Sequence, residues 1–429
     1  MLTATLFVIL GFLLFLNVPI FAALSGAVVV AFAVFSDVPL IVIVQRMFAG
    51  IDKWALMAIP FFVLAANLMG RGGISERIIK LANVMVGWFP GGLGLTAIAA
   101  SMFFGAISGS APATVVAIGA LLFPALLDEK YGKDYSAGVL TASGALGIII
   151  PPSVTMIVYG AVTGASVGTL FVAGFGAGAI YGFAFMVYTY FFAKKKPDLV
   201  VREKPSTGEL LTAIKEASWG IGVPFIIIGG IYGGVFTPTE AAAVAVVYAL
   251  FVTLVIYRNM SFMGLYNTLR DSAVTTAQVM IILGSASVFA WILTSEGITV
   301  AIAETVLSFA SSAWMVFMLF NIVILISGMF LDGASIITIL APLLLPIAHQ
   351  VGIDPIHLGV VMTVNCAIGM FTPPFGLNLF VASGICDMSM LRLSKAVLPF
   401  ILISLVSLLL VTYVPEISLW LPRLIYGTW

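Results

Sequence analysis

The stretch ASGALGIIIPPSVTMIVYGA, residues Ala142 to Ala161, has a counterpart in VNCAIGMFTPPFGLNLFVAS, residues Val364 to Ser383. In each, an apolar segment rich in small residues runs into a double proline and then continues with apolar residues. The pairs, Pro151-Pro152 and Pro373-Pro374, stand at matching places in the two stretches. Because proline has no backbone N–H and its ring clashes with the preceding turn, it breaks a helix interior. The two stretches therefore predict a broken helix at the same point of two repeats.

The composition sets the class of protein. Of the 429 residues, 62% are hydrophobic and only 8% are charged. A water-soluble domain of this size would then have a mostly apolar surface, so the sequence predicts an all-α polytopic membrane protein. The formal net charge is zero, which argues against nucleic acid as a partner. Cys366 and Cys386 show no metal-binding spacing, and nothing in their context indicates a disulfide.

The chain is predicted to consist of two repeats, residues 1–196 and 218–429, joined by a cytoplasmic linker, residues 197–217. The first has two spans in Leu2–Phe35 divided at Asn17-Val18-Pro19, an interfacial arm Pro39–Lys53, a span Trp54–Gly70, an amphipathic segment Ile74–Trp88, a hairpin 91–127, a broken helix 134–163 and a span Ala165–Ala193. The second has two spans in Ser218–Tyr257, an arm Ser261–Asp271, a span Ser272–Thr294, a hairpin 313–349, a broken helix 355–385, a span Leu391–Tyr413 and a short tail.

Both hairpins are predicted to be re-entrant. The arms of hairpin 91–127 flank the polar interruption Ile107–Pro112 and are each shorter than the about twenty residues that cross a bilayer core. The second tip is expected at Gly328–Gly333. Irregular backbone at membrane depth is tolerated only where it is buried in protein or lines a cavity. The tips are therefore expected to face a binding site.

The charge pattern predicts that the repeats are inverted. Each repeat has five predicted crossings, and an odd number gives the two repeats opposite orientations. If Lys194–Lys196 are cytoplasmic, alternation places every Lys and Arg on that side except Arg46, Lys53 and Arg423. This distribution agrees with the positive-inside rule, and it places both termini outside.

The broken helices carry the main functional hypothesis. A break exposes carbonyls at the end of the first half-helix and N–H groups at the start of the second. Carbonyls suit Na⁺ and N–H groups suit a carboxylate. Gly147–Pro151 and Gly369–Pro373 are expected to supply carbonyls, completed by the hairpin tips at Ser108 and Gly328. The alternative is that tandem prolines only kink packed helices, but two pairs in register, each preceded by a hairpin, favour a site.

Two polar residues stand at matching tip positions, Ser110 and Asp332. A lone carboxylate in a deeply apolar segment is costly and usually functional, so Asp332 is expected to bind a cation, carry a proton or orient substrate. The alternative is a loop residue nearer the surface. For Ser110 the alternative is an ordinary helix cap.

The sequence resembles the large permease (M) subunit of tripartite ATP-independent periplasmic (TRAP) transporters over essentially its whole length. The matching stretches are Phe104–Pro112 (FGAISGSAP), Gly147–Ser153 (GIIIPPS), Phe236–Ala243 (FTPTEAAA) and Met370–Gly376 (MFTPPFG). Among the members, the resemblance favours the sialic-acid permeases.

The resemblance implies a site and a mechanism. The sodium sites of the family map onto two sets of mainly backbone ligands: Ser108, Gly147, Ile150 and Pro152, and Gly328, Gly369, Thr372 and Pro374. Ser110, Thr155 and Asp332 are the candidates for the substrate cavity. The expected mechanism is an elevator, as in the ion transporter superfamily, in which hairpins and broken helices move past a scaffold of outer spans and arms.

The resemblance also implies import of an organic acid into a bacterium across its inner membrane, with sialic acid the favoured substrate. Na⁺ is the coupling ion, and no cofactor is needed. The partners implied are a periplasmic binding protein (P) and a small four-helix membrane subunit (Q), which is expected as a separate chain because the sequence begins with M-type residues.

Four alternatives remain open. The first is an M subunit for C4-dicarboxylates, and the second is a stand-alone divalent-anion/Na⁺ symporter, which would need no binding protein. An ion channel is a third, although no ring-forming filter motif is present. An enzyme is the fourth and is disfavoured, because Gly164–Gly168 matches G-x-S-x-G without the strand that a nucleophile elbow needs.

Overall fold

The computed structural model describes residues 2–16, 18–36, 38–310 and 312–427, and helices account for most of them. Up to the linker the helices are α1 Leu2–Phe15, α2 Ile20–Phe35, α3 Ile41–Ile51, α4 Ala58–Arg71, α5 Ile74–Val86, α6 Gly92–Ser108, α7 Ala111–Asp128, α8 Lys133–Gly144, α9 Leu146–Ile149, α10 Val154–Thr163 and α11 Val167–Lys194. Beyond it they are α12 Thr207–Tyr232, α13 Pro238–Phe251, α14 Phe262–Ser295, α15 Ile298–Phe309, α16 Ala313–Gly328, α17 Gly333–Gln350, α18 Pro355–Gly369, α19 Leu377–Cys386, α20 Met390–Tyr413 and α21 Glu416–Tyr426. A 3₁₀ turn, Trp54–Met57, precedes α4, and a π-helical turn, Val252–Ile256, follows α13.

The protein is a polytopic membrane protein. Within the described residues, nine helical segments are long and apolar enough to cross a membrane. The first two helices, α1 and α2, have 14 and 16 residues, which is short of the about twenty that a bilayer core requires. The predicted division of this region is observed between Phe15 and Ile20, although Asn17 itself lies outside the described residues.

The helices after residue 90 recur with nearly the spacing of the proline pairs. Helix α17 begins and ends as many residues after α7 as Pro373 lies after Pro151. Helix α18 begins the same number of residues after α8. The helices that follow the breaks, α10 and α19, begin one position further apart, so the second break carries a single insertion. The element order therefore repeats hairpin, broken helix and long span.

Three details of secondary structure differ from the sequence predictions. The arm Ser261–Asp271 and the span Ser272–Thr294 form one helix of 34 residues, because neither glycine nor proline interrupts them at the junction. Helix α12 begins at Thr207, inside the predicted linker 197–217, where Ser206 and Glu209 form a capping box. The C-terminal tail forms a further amphipathic helix, α21.

The broken helices lie at the centre of the molecule. Every residue of α8 and α9 from Tyr135 to Ile149 is buried, and so is every residue of α18 from Ile356 to Gly369. The two broken helices contact each other, since α18 packs against both α9 and α10. A separate apolar cluster joins α1, α2 and α3 to the second half of α14. The predicted binding elements therefore form the core, and the N-terminal helices pack at its periphery.

Candidate functional site

The helix breaks at Pro151-Pro152, as these prolines predict. Helix α9 ends at Ile149, Ile150 is extended, and Ser153 caps α10 by accepting a hydrogen bond from the Met156 N–H at 3.4 Å. The peptide bond between Pro151 and Pro152 is cis. Because neither proline has an N–H to donate, the carbonyls of Gly147 and Ile148 have no partner four residues ahead. These carbonyls are free to turn toward a cation.

The first hairpin tip lies directly against this break. Gly109 ends α6 in the left-handed conformation, with φ 60°, and a Cβ on it would lie 2.7 Å from the Pro152 carbonyl oxygen. A Cβ on Gly147 would lie 2.6 Å from the Ser110 carbonyl oxygen. Only glycine permits these approaches. The structure thus brings the tip residues Ser108–Ser110 together with Gly147 and Pro152.

Hydroxyl groups complete the first tip. The Ser108 and Thr114 hydroxyl oxygens are 3.0 Å apart, and the Thr114 hydroxyl donates to the Ser110 carbonyl at 2.8 Å. The Thr114 Oγ1 also lies on the side of Gly147 where a Cβ would be, and it would overlap with that Cβ. Thr114 was not among the predicted residues, although it lies one helical turn after Ser110. The first candidate set is therefore a cluster of carbonyl and hydroxyl oxygens.

The second hairpin tip contacts the second break in a similar way. Gly328 ends α16, and a Cβ on it would lie 2.8 Å from the Gly369 Cα. The Gly369 carbonyl accepts from the Thr372 N–H at 3.0 Å, and the Thr372 hydroxyl donates to the Ile368 carbonyl at 2.7 Å. Phe330 of the tip and Phe375 beside Pro374 have ring centroids 5.7 Å apart. Gly328 and Gly369 are in direct contact, whereas Thr372, in the break, directs its hydroxyl to the end of α18.

Asp332 is the N-cap of α17. Its Oδ1 accepts from the backbone N–H groups of Ala334 and Ser335 at 3.0 and 3.1 Å, and its Oδ2 accepts from the Ser335 hydroxyl. The side chain is half-buried. These bonds satisfy N–H groups of the first turn of α17 that have no partner within the helix. The carboxylate predicted to be functional therefore also has a structural role.

Two of the three substrate candidates come together and the third lies elsewhere. A Cβ on Gly333, next to Asp332, would lie 3.0 Å from the Thr155 hydroxyl oxygen, because α10 packs against α17. Ser110 instead turns its carbonyl to Gly147 and Thr114 in the first candidate set. The substrate candidates thus divide between the two tips.

Asn378 is a residue that the sequence reasoning missed. It is buried, its amide nitrogen donates to the Thr141 carbonyl at 3.4 Å, and its backbone N–H donates to the Met370 carbonyl at 2.8 Å. Its side-chain Oδ1 has no hydrogen-bond partner within the described residues. Asn378 is the second residue of α19, as Thr155 is the second residue of α10. The spacing of the proline pairs would instead have aligned Thr155 with Leu377, because the single insertion at the second break is visible only in the helix starts.

The donor set suits a hard, weakly held cation. No group of three or more His, Cys, Asp or Glu side chains that could hold a metal occurs in the ranges that the structure describes. Carbonyl and hydroxyl oxygens are instead the groups present at both tips, and oxygen ligands of this kind replace the hydration shell of an alkali cation.

The broken helices run in opposite directions. The Lys133 ammonium at the start of α8 donates to the Asp387 carbonyl at the end of α19, at 2.8 Å. The Tyr159 hydroxyl near the end of α10 donates to the Pro355 carbonyl at the start of α18, at 2.7 Å. Each broken helix therefore begins beside the end of the other. The same pairing holds between neighbours, since α10 packs on α17 and α19 packs on α7.

A family model described as the tripartite ATP-independent periplasmic transporter, DctM component, matches residues 7–417. The chain belongs to this family of TRAP transporter large permeases. It is 42% identical to the C4-dicarboxylate TRAP transporter large permease protein DctM of Vibrio cholerae, over 100% of this chain and 99% of the relative. It is 39% identical to the sialic acid TRAP transporter large permease protein SiaM of the same organism, over 89% of this chain and 90% of the relative.

Another relative joins two subunits in one chain. The isethionate TRAP transporter permease protein DctMQ of Oleidesulfovibrio alaskensis is 42% identical over 95% of this chain and 65% of the relative. Permeases of the DctM family act with a small membrane subunit and a periplasmic binding protein, so membership indicates transport and not catalysis. Among solved structures, the YdaH transporter of Alcanivorax borkumensis has a TM-score of 0.60 and 13% identity, with 86% of each chain covered. That likeness concerns the fold.

Proposed function

We propose that this DctM-family permease imports an organic acid into a bacterium across its inner membrane, driven by a Na⁺ gradient. The observation that carries the proposal is the backbone contact of each hairpin tip with its own helix break, Gly109 with Pro152 and Gly328 with Gly369. Each contact gathers carbonyl and hydroxyl oxygens around a point where helical hydrogen bonding is interrupted. Such interrupted helices are the usual ion and substrate sites of secondary transporters.

The proposed architecture is an inverted repeat. Its support is the antiparallel arrangement of the broken helices, in which Lys133 meets Asp387 and Tyr159 meets Pro355. The charge pattern gives independent support. Four of the six ion pairs among the described residues join segments far apart in sequence, and the predicted topology places both partners of each of these pairs on the cytoplasmic side.

The proposed mechanism is an elevator. The hairpins α6–α7 and α16–α17 and the broken helices lie in the main buried core together with parts of α4, α5, α11 and α13, whereas α1, α2 and α3 join the second half of α14 in a separate apolar cluster. In this proposal the hairpins and broken helices carry the substrate and Na⁺ past the outer helices. The Na⁺ ligands are Ser108, Gly147, Ile150 and Pro152 at one tip, and Gly328, Gly369, Thr372 and Pro374 at the other; the substrate residues are Thr155 and Asp332, with Ser110 supporting the first ion set.

Two substrate classes compete. Identity does not decide between sialic acid, which the sequence resemblance favours, and a C4-dicarboxylate, because the permeases named for C4-dicarboxylates and for isethionate are each 42% identical and the one named for sialic acid is 39% identical. Both are carboxylates, so both suit the N–H groups exposed at the starts of α10 and α19. The proposed substrate class is therefore an organic acid, and the uptake experiment below identifies which acid is transported.

The test is reconstitution of the chain with its small subunit and a loaded binding protein in vesicles. We expect uptake of either N-acetylneuraminate or succinate under an inward Na⁺ gradient, and none when K⁺ replaces Na⁺. Omitting the binding protein is expected to abolish uptake. Full uptake by this chain alone would instead indicate a stand-alone symporter, and uptake independent of Na⁺ would contradict the proposed coupling.

A further inference from the structure

A cavity separates the peripheral helices from the central unit. It encloses about 310 Å³ and is bounded by α3, α14, α10 and α17. Its walls include Lys53, Trp291 and Thr294 on the peripheral side, and Ala161 and Thr338 on the central side. We refer to it as the Lys53 pocket.

The pocket lies in line with the candidate substrate residues. Helices α10 and α17 start together at the contact between Thr155 and Gly333, and both run from there to the pocket walls at Ala161 and Thr338. Five or six helical residues span about 8 Å. The predicted topology places these far ends toward the outside. The pocket therefore lies on the outer side of Thr155, one to two helical turns away.

Lys53 brings a positive charge into this pocket. Its ammonium donates to the Ala161 carbonyl at 2.8 Å, and it forms no ion pair with Asp or Glu in the part of the chain that the structure describes. Lys53 as a whole is exposed, but its ammonium lies against the pocket wall, and this partial desolvation lowers the pKa of Lys53. A partly desolvated cation that donates to a neutral carbonyl is stabilised further by an anion.

A second cation contacts a wall of the pocket. The Arg46 guanidinium lies over the Trp291 ring, 4.8 Å from its centroid, and Trp291 lines the pocket. Arg46 and Lys53 are two of the three basic residues that the charge pattern leaves outside. Two of the three exceptions to the positive-inside rule are therefore associated with this pocket, Lys53 as a lining residue and Arg46 through Trp291.

We propose that the Lys53 pocket is an outer anion site, which holds a carboxylate of the organic acid on its way to Thr155 and Asp332. The inference rests on the proposed function and adds a second binding position to it. Its physical reason is electrostatic, because Asp332 repels a carboxylate that approaches unpaired, whereas a cation about 8 Å earlier on the path attracts it. The ammonium would exchange the Ala161 carbonyl for the carboxylate.

Trp291 provides a direct readout of the pocket. The chain with its small subunit, in vesicles of phosphatidylcholine, is titrated with succinate and with N-acetylneuraminate while tryptophan fluorescence is followed. We expect a saturable change that disappears in Trp291→Phe. In Lys53→Gln the half-saturating concentration is expected to rise roughly tenfold, equivalent to about 1.4 kcal/mol, and Lys53→Arg is expected to restore it. Lys195→Gln, which removes an exposed lysine from the other side, is the matched control.

Uptake separates this inference from the proposed function. In Lys53→Gln the substrate concentration for half-maximal uptake is expected to rise several-fold at unchanged maximal rate. If the wild-type protein transports no organic acid, the proposed function fails. If it transports but Lys53→Gln matches Lys195→Gln in both assays, the anion site is refuted. A Trp291 signal that appears only when anionic lipid is added, and not with either acid, would assign the pocket to a lipid headgroup and also refute it.

Discussion

At the scale of single residues, Asp332 has two roles, and a change to alanine would remove both at once. Its carboxylate caps α17 and also lies beside the contact between Gly333 and Thr155. The sequence predicted a functional carboxylate from its apolar context, but it could not predict the cap geometry, which depends on where α16 ends. Asparagine caps a helix about as well as aspartate does and carries no charge, so it separates the two roles.

We expect Asp332→Asn to lose most Na⁺-driven uptake while keeping wild-type thermal stability. Asp332→Ala is expected to lose uptake and also about 0.5–2 kcal/mol of stability, the usual effect of removing a cap. Uptake and thermal unfolding in detergent measure the two effects. Asp354→Asn is the control, since Asp354 caps α18 in the same way. Wild-type uptake by Asp332→Asn would remove the charge from the mechanism.

At the scale of elements, each hairpin is fixed to its break by glycine. The small-residue stretches predicted these helices, and the double prolines predicted where they break. The prolines could not indicate which backbone lies against the break, because that contact joins segments that are distant in sequence. In the second half the contact is between Gly328 and Gly369, where a Cβ on either residue would overlap the other backbone.

Gly328→Ala is therefore expected to push the tip of α16 away from the break. Overpacking of this kind lowers stability by about 1–3 kcal/mol. Because the displaced backbone includes proposed Na⁺ ligands, we expect the Na⁺ concentration for half-maximal uptake to rise several-fold. Gly384→Ala is the control, since it lies within α19 with open space around its Cα. An unchanged Na⁺ dependence in Gly328→Ala would show that this tip does not bind the ion.

At the scale of the whole molecule, the sequence predicted the repeat, the hairpins and the breaks, because prolines and glycines act locally. It divided α14 wrongly at Asp271, since charge indicates where a helix leaves the membrane and not where it ends. The start of α12 was predictable from Ser206 and Glu209, whose spacing is that of a capping box. The division of the substrate candidates between two tips was not, because it depends on the packing of α10 on α17.

The inverted repeat makes a prediction about matched positions. Lys80 in α5 and Glu304 in α15 stand at the same place counted from the starts of these two helices, Ile74 and Ile298, and both are exposed. An inverted repeat puts them on opposite sides of the membrane, whereas a parallel repeat puts them on the same side. In spheroplasts we expect a membrane-impermeant maleimide to label Glu304→Cys, and to label Lys80→Cys only after permeabilisation. The buried thiols of Cys366 and Cys386 leave the unmodified protein as an unlabelled control. Equal labelling of both variants before permeabilisation would rule out the inversion, and with it the pairing of two breaks from opposite sides around one site.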